Sequence, residues 1–170
     1  MSVELSPFGW AFRPIQRYAD FTGRAPRAEY WWYVLATMVV GIAVGFIDGV
    51  VGAPIVGDLG PATLLFDLIL FVPGLAVVVR RLHDIDRSGW WALLSASSYA
   101  FLVVPLTSTN PDEPFGALQA MGVGPLIAIF GAWLIGAVVL LVFMITRGDE
   151  GANNYGPDPY DRGQLEEIFA

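Results

Sequence analysis

The run GPLIAIFGAWLIGAVVLLVFMI, Gly124 to Ile145, decides the fold class. It carries no charged side chain, and as a helix it reaches about 33 Å. The hydrocarbon core of a bilayer is about 30 Å thick and needs about 20 apolar residues to cross. Working back along the chain, three more stretches read the same way. They are WWALLSASSYAFLVVPL, roughly Trp90 to Leu106; ATLLFDLILFVPGLAVVV, roughly Ala62 to Val79; and WWYVLATMVVGIAVGFIDGVV, Trp31 to Val51. Their helical lengths are about 25, 27 and 31 Å. The composition leaves no other home for them. Charged residues make up 15% of the 170-residue chain, where a soluble domain carries about 25%. So few polar side chains cannot cover four such helices in water. The first 29 residues hold no signal-type apolar run, so the first span serves as its own insertion signal.

All nine basic residues are arginine, and their placement sets the threading. Arg13, Arg17, Arg24 and Arg27 precede span one. Arg80, Arg81 and Arg87 lie between spans two and three, and Arg147 and Arg162 follow span four. The loops Gly52–Pro61 and Thr107–Val123 hold none. By the positive-inside rule, both termini and the middle loop are cytoplasmic. Trp31, Trp32, Tyr33, Trp90 and Trp91 then fall at headgroup level, where amphipathic rings are most stable. The expected fold is all-α: an integral-membrane four-helix bundle. It has a lead-in over 1–30, a membrane domain over 31–146 and a polar tail over 147–170. In the lead-in, Pro14 would open a short interfacial helix through Phe21. Pro26 suits the first turn of the helix that becomes span one. Gly41, Gly45 and Gly49 form a small-residue stripe, and Ala128, Ala132 and Gly136 form another. Both read as close-packing surfaces, and the first also permits a homodimer. Pro73-Gly74 predicts a kink in span two. GANNYGPDPY in the tail reads as turns.

Several classes of function drop out. There is no cysteine and one histidine, so no thiolate or HExxH-type metal site exists. A net charge of −7 argues against nucleic acid. No cofactor is implied.

Three segments carry a resemblance: FTGRAPRAEYWW from Phe21, RRLHDIDRSGWW from Arg80, and NYGPDP from Asn154. Together they resemble the bacterial inner-membrane family known as domain of unknown function 805. The resemblance covers about Phe21 to Pro159 and implies a multi-pass inner-membrane protein with no established activity. In the family pattern Glu-Asn-Arg often precedes the tail aromatic; here Ala152-Asn153-Asn154 stands there.

Candidate functional residues fall into two groups. Arg24, Arg27, Arg80, Arg81, His83, Asp84 and Arg87 gather on the cytoplasmic side. Arginine forks match phosphate oxygens, so this group is expected to bind anionic lipid headgroups or a membrane partner without being an enzyme. Anchoring and topology alone would also account for Arg80 and Arg81. Replacing both with alanine is expected to weaken lipid binding without unfolding the bundle. His83 and Asp84, being adjacent, do not readily form a catalytic pair; a backbone carbonyl or Glu29 is the expected partner of His83. Asp48 and Asp67 are acids inside spans, where burial of charge is costly. The second reading is a small transporter or channel in which they share a proton or hold a cation.

Overall fold

The computed structural model describes residues 6–52, 60–95, 116 and 122–160. Helix α1 spans Pro7–Gln16. It starts at Pro7 rather than Pro14, because Ser6 supplies a cap: its Oγ accepts from the Gly9 N–H at 3.2 Å. Pro7 takes the first helical turn, where its missing N–H costs nothing. Pro14 falls instead in the last turn. The helix is two-faced. Ala11 and Pro14 are buried, while Phe8, Phe12 and Ile15 face outward, as suits an element lying against lipid.

Helix α2 covers Arg27–Val51, with Pro26 at its N-cap. Helix α3 covers Pro61–His83, a 3₁₀ turn covers Gly89–Ala92, and helix α4 covers Val123–Ile145. Among the described residues there are three helices long and apolar enough to cross a membrane: α2, α3 and Ile127–Ile145 within α4. The third expected span begins as the 3₁₀ turn and continues helically to Ser95; the rest of it lies outside the described residues. The start of α2 and the ends of α3 and α4 meet at one end of the molecule. Ala25 N–H donates to Arg80 O at 2.9 Å, and Arg27 Nη1 to Ile145 O at 3.3 Å. So α3 and α4 run the same way and α2 runs against both. The chain has returned to the far end by Gly122.

The glycine stripe does pack, over part of its length. A Cβ on Gly41 would lie 3.4 Å from the Phe66 ring, and one on Gly45 would lie 4.0 Å from Thr63 Oγ1, while Gly49 is open. On the second stripe, Gly136 approaches Leu94, whereas Ala128 and Ala132 are exposed.

Pro73 lies inside α3. A proline donates no N–H to the carbonyl four residues earlier, here Ile69. Tyr18 fills that gap from the lead-in: its hydroxyl donates to Ile69 O at 2.7 Å. The Tyr33 hydroxyl donates to the next carbonyl, Leu70 O, at 3.2 Å. The break in α3 is thus stitched by tyrosines from two other segments. A double-mutant cycle tests this. Tyr18→Phe is expected to cost about 1 kcal/mol in the natural chain. In a Pro73→Ala background, where the backbone N–H restored by the substitution can serve Ile69 O, the cost falls to near zero. Equal costs in both backgrounds, read from thermal melts in detergent, would refute the stitch.

Candidate functional site at the arginine-rich end

Helices α1, α3 and α4 all finish at this end, and helix C-termini present unpaired carbonyls with partial negative charge. Arginine is the side chain that can answer several of them at once. Arg80 Nη1 donates to Asp20 O, and Arg81 donates through Nε to Met144 O at 3.3 Å and through Nη2 to Thr146 O. Arg24 reaches the tail, donating through Nη1 to Gly151 O at 2.6 Å and through Nη2 to Asp149 O at 2.5 Å.

Two buried carboxylates balance these cations. Asp84 accepts from Arg24 Nε at 3.0 Å through Oδ1 and from Arg81 Nη1 through Oδ2. Glu29 Oε1 accepts from Arg80 Nη2 at 2.7 Å. The side chains of Arg80, Glu29 and Arg81 are fully buried, and those of Arg24 and Asp84 nearly so. Arg13 Nε stands 3.4 Å from Glu29 Oε2, in ion-pair range but outside hydrogen-bond geometry. Arg80 Nε has no hydrogen-bond partner among the described residues.

This geometry corrects the expectation for the arginine pair. Arg80 and Arg81 do not face headgroups. They are interior groups whose forks are taken up by protein acceptors, as is that of Arg24, and Asp84 is one of those buried acceptors. Of the expected cluster, Arg27 and Arg87 are exposed. Arg27 lines an open recess of about 380 Å³ with Ala28, Trp31, Trp32 and Ile145. The Arg87 guanidinium carbon lies 5.9 Å from the centre of the Phe143 ring. Trp31, Trp32, Trp90 and Trp91 are all exposed at this level.

Of the two partners expected for His83, a backbone carbonyl or Glu29, it meets a carbonyl: Nδ1 lies 3.1 Å from Gly23 O. Its ring is stacked on Tyr155, with centroids 3.8 Å apart and planes within 5°. Asp84 turns away to the arginines, so the two neighbours form no catalytic pair. The tail is fastened beside them. Asn153 Nδ2 donates to His83 O at 2.8 Å, Asn154 Nδ2 donates to both Asp86 oxygens at 3.0–3.1 Å, and Asp149 N–H donates to Asp84 O at 2.8 Å. The sequence marked Asn153 and Asn154 as turn formers, and Asn154 as part of the NYGPDP segment, but not as side chains that fasten the tail. Their role was hidden because it depends on a fold-back spanning 60 or more residues of chain.

Asp20 organises the lead-in between α1 and α2. The Thr22 hydroxyl, the Thr22 N–H and the Arg17 fork hold its carboxyl well below the usual carboxylate range, against a smaller opposing effect of burial. A depressed folded value stabilises the fold above the unfolded value, near pH 4, and that contribution fades as pH falls further. The melting-point gap between the natural chain and Asp20→Asn is therefore expected to narrow from pH 7 toward pH 3. A gap that stays constant over that range would contradict this account.

Asp48 and Asp67 are not brought into contact with each other. Asp48 is buried at the far end and caps α3, accepting from Ala62 N–H at 3.1 Å and Thr63 N–H at 2.7 Å. Gly60 holds the α3 N-cap position without a side-chain cap of its own, and Asp48 lies where its Cβ would be. A carboxylate at a helix N-terminus is a stable arrangement that calls for no shared proton. Asp67 lies one turn further along α3 and is partly exposed. Among the described residues it has no hydrogen-bond or ion-pair partner.

Long apolar helices closed at one end by a buried arginine–carboxylate cluster and a ring of tryptophans define a polytopic helical membrane protein. The comparisons with known proteins place it further. Residues 18–157 match the family described as "Protein of unknown function (DUF805)", and the chain belongs to that family. It is 33% identical over 150 residues to Inner membrane protein YhaH of Escherichia coli K12, covering 88% of this chain and 95% of that one. It is 36% identical over 150 residues to Inner membrane protein YhaI of the same strain, covering 88% and 94%. This is a multi-pass protein of the bacterial inner membrane. No solved structure matches it.

Proposed function

We propose that the arginine-rich end faces the cytoplasm and that the chain is a non-catalytic membrane protein holding anionic phospholipid headgroups at that rim. The arginine distribution supports the orientation. The same reading includes a fourth crossing within roughly 90–106, which would bring the chain back to the far end before α4. The observation that carries the binding role is the recess at Arg27. An exposed guanidinium stands there beside two exposed indoles. A fork that matches phosphate oxygens and rings that prefer the headgroup layer suit an anionic phospholipid. Arg87 offers a second exposed cation on the flank of α4. Arg24, Arg80 and Arg81 would serve this surface indirectly, by fixing the backbone beneath it.

The transporter reading draws on Asp67 alone, because the Asp48 oxygens are engaged by α3. Native mass spectrometry of the protein released from nanodiscs of phosphatidylethanolamine and phosphatidylglycerol tests the headgroup site. Arg27→Gln/Arg87→Gln is expected to retain several-fold less phosphatidylglycerol with an unchanged melting point. Retention equal to that of the natural chain would reject the site.

A further inference from the structure

A separate groove runs along α3 toward the arginine-rich end, with a volume of about 570 Å³. That lies within the usual range of small-molecule sites, about 300–1,000 Å³. Phe71, Leu75 and Val79 line it at four-residue spacing, with Leu93 opposite. The next position on the same stripe is His83, with Ser88 beside it. The groove is therefore apolar for about 12 Å, two turns of helix plus a fraction, and polar at one end. Among the described residues that line it, His83 and Tyr155 carry the ionisable groups, and none is an arginine or a carboxylate.

The polar end has defined hydrogen-bonding character. Gly23 O can only accept, so the Nδ1 bonded to it carries the ring proton. In the neutral ring the lone pair is then on Nε2, which has no hydrogen-bond partner among the described residues. Stacking on Tyr155 fixes the ring plane. Nε2 faces Gly89, and a Cβ there would lie 3.4 Å from Nε2 and 2.8 Å from Val79 Cγ1. Glycine thus lets the backbone pass close to Val79 and the imidazole, where a larger residue would clash. Ser88 Oγ accepts from Trp90 N–H at 3.4 Å and keeps its own proton to donate. Trp90, on the rim, is 77% exposed.

We propose that this groove binds a neutral lipid whose head ends in a free hydroxyl, of the diacylglycerol type. The acyl portion lies against Phe71, Leu75, Val79 and Leu93. The hydroxyl donates to His83 Nε2 and accepts from Ser88. A phosphate head is disfavoured, because it would meet a lone pair where it needs a cation. The site is distinct from the recess at Arg27 and does not depend on it.

The test uses the full chain in nanodiscs and a diacylglycerol carrying a diazirine in one acyl chain. Crosslinks are mapped by mass spectrometry, with three unlabelled competitors: dioleoylglycerol, its O-acetyl ester, and dioleoyl phosphatidate. Labelling of α3 and the 3₁₀ turn is expected, with dioleoylglycerol competing at least 10-fold better than either other lipid. Leu93→Trp fills the groove from an exposed position and is expected to abolish labelling there without lowering the melting point. His83→Gln with Ser88→Ala is expected to level the three competitors. The Arg27→Gln/Arg87→Gln variant should label as the natural chain does. Equal competition by the O-acetyl ester in the natural chain, preference for phosphatidate, or labelling unaffected by Leu93→Trp would each overturn the proposal.

Discussion

Asp84→Ala is expected to destabilise the protein by about 3–5 kcal/mol, the range for breaking a buried ion pair. Two buried guanidiniums depend on this one carboxylate, Arg24 through Oδ1 and Arg81 through Oδ2. Without it they remain in the interior as uncompensated positive charges. Arg24 also carries the tail, through Gly151 O and Asp149 O, so local loss should spread to residues 149–156. Hydrogen exchange in detergent should show that tail opening first, with a clear fall in melting point. A variant that melts like the natural chain would mean the cluster is hydrated and weak rather than buried and tight. The same reasoning revises the expectation for Arg80→Ala/Arg81→Ala. Each substitution strips a partner from a buried acid, Glu29 or Asp84, so this variant should lose stability rather than lipid alone.

Gly148→Ala is the second large effect, and its cause is spatial. A Cβ at position 148 would fall on the Asp84 carboxylate. That carboxylate cannot swing aside, because arginines hold both of its oxygens. Overpacking of this kind costs typically 1–3 kcal/mol, and here it also disturbs the ion pairs. The two predictions are coupled. Once Asp84 is replaced by alanine, the obstructing atoms are gone, and Gly148→Ala should cost little further. Thermal melts of the two single variants and the double variant form the cycle. Additive losses would show that Gly148 acts through something other than Asp84, since groups in direct contact are expected to be strongly non-additive.

Such effects were out of reach of the linear chain. Gly148 had no motif, repeat or periodic neighbour to mark it. Glu29 was visible as an acid just ahead of span one and as a possible partner of His83, yet nothing in its surroundings named Arg80, 51 residues away. The arginines themselves were plain, and the described ones do gather at one end of the molecule. The error concerned which way they face. Sequence spacing puts Arg80 and Arg81 at a helix end but not on a side of it. Whether an arginine there meets lipid phosphate or protein carbonyl depends on what else arrives at that end. Asp48 posed the same difficulty. As an acid near a span end it suggested ion chemistry, and only the approach of α3's first turn makes it a cap.

The sequence alone determined the membrane address, the apolar helices, the kinkable Pro73, the turn-rich tail and the family. Each of these follows from local composition: a run of apolar residues long enough for a bilayer, a missing N–H, a cluster of turn formers. The tertiary structure decided the roles of the polar residues. Three helix C-termini converge on one end and leave carbonyls that need cations. Arg81 is drawn inward to the carbonyls at the end of α4, Arg80 to those of the lead-in and Arg24 to those of the tail, and Asp84 and Glu29 balance the charge. Arg27 and Arg87 stay outside. A buried charge is tolerable only with its partners in place, and those partners come from segments far apart in the chain.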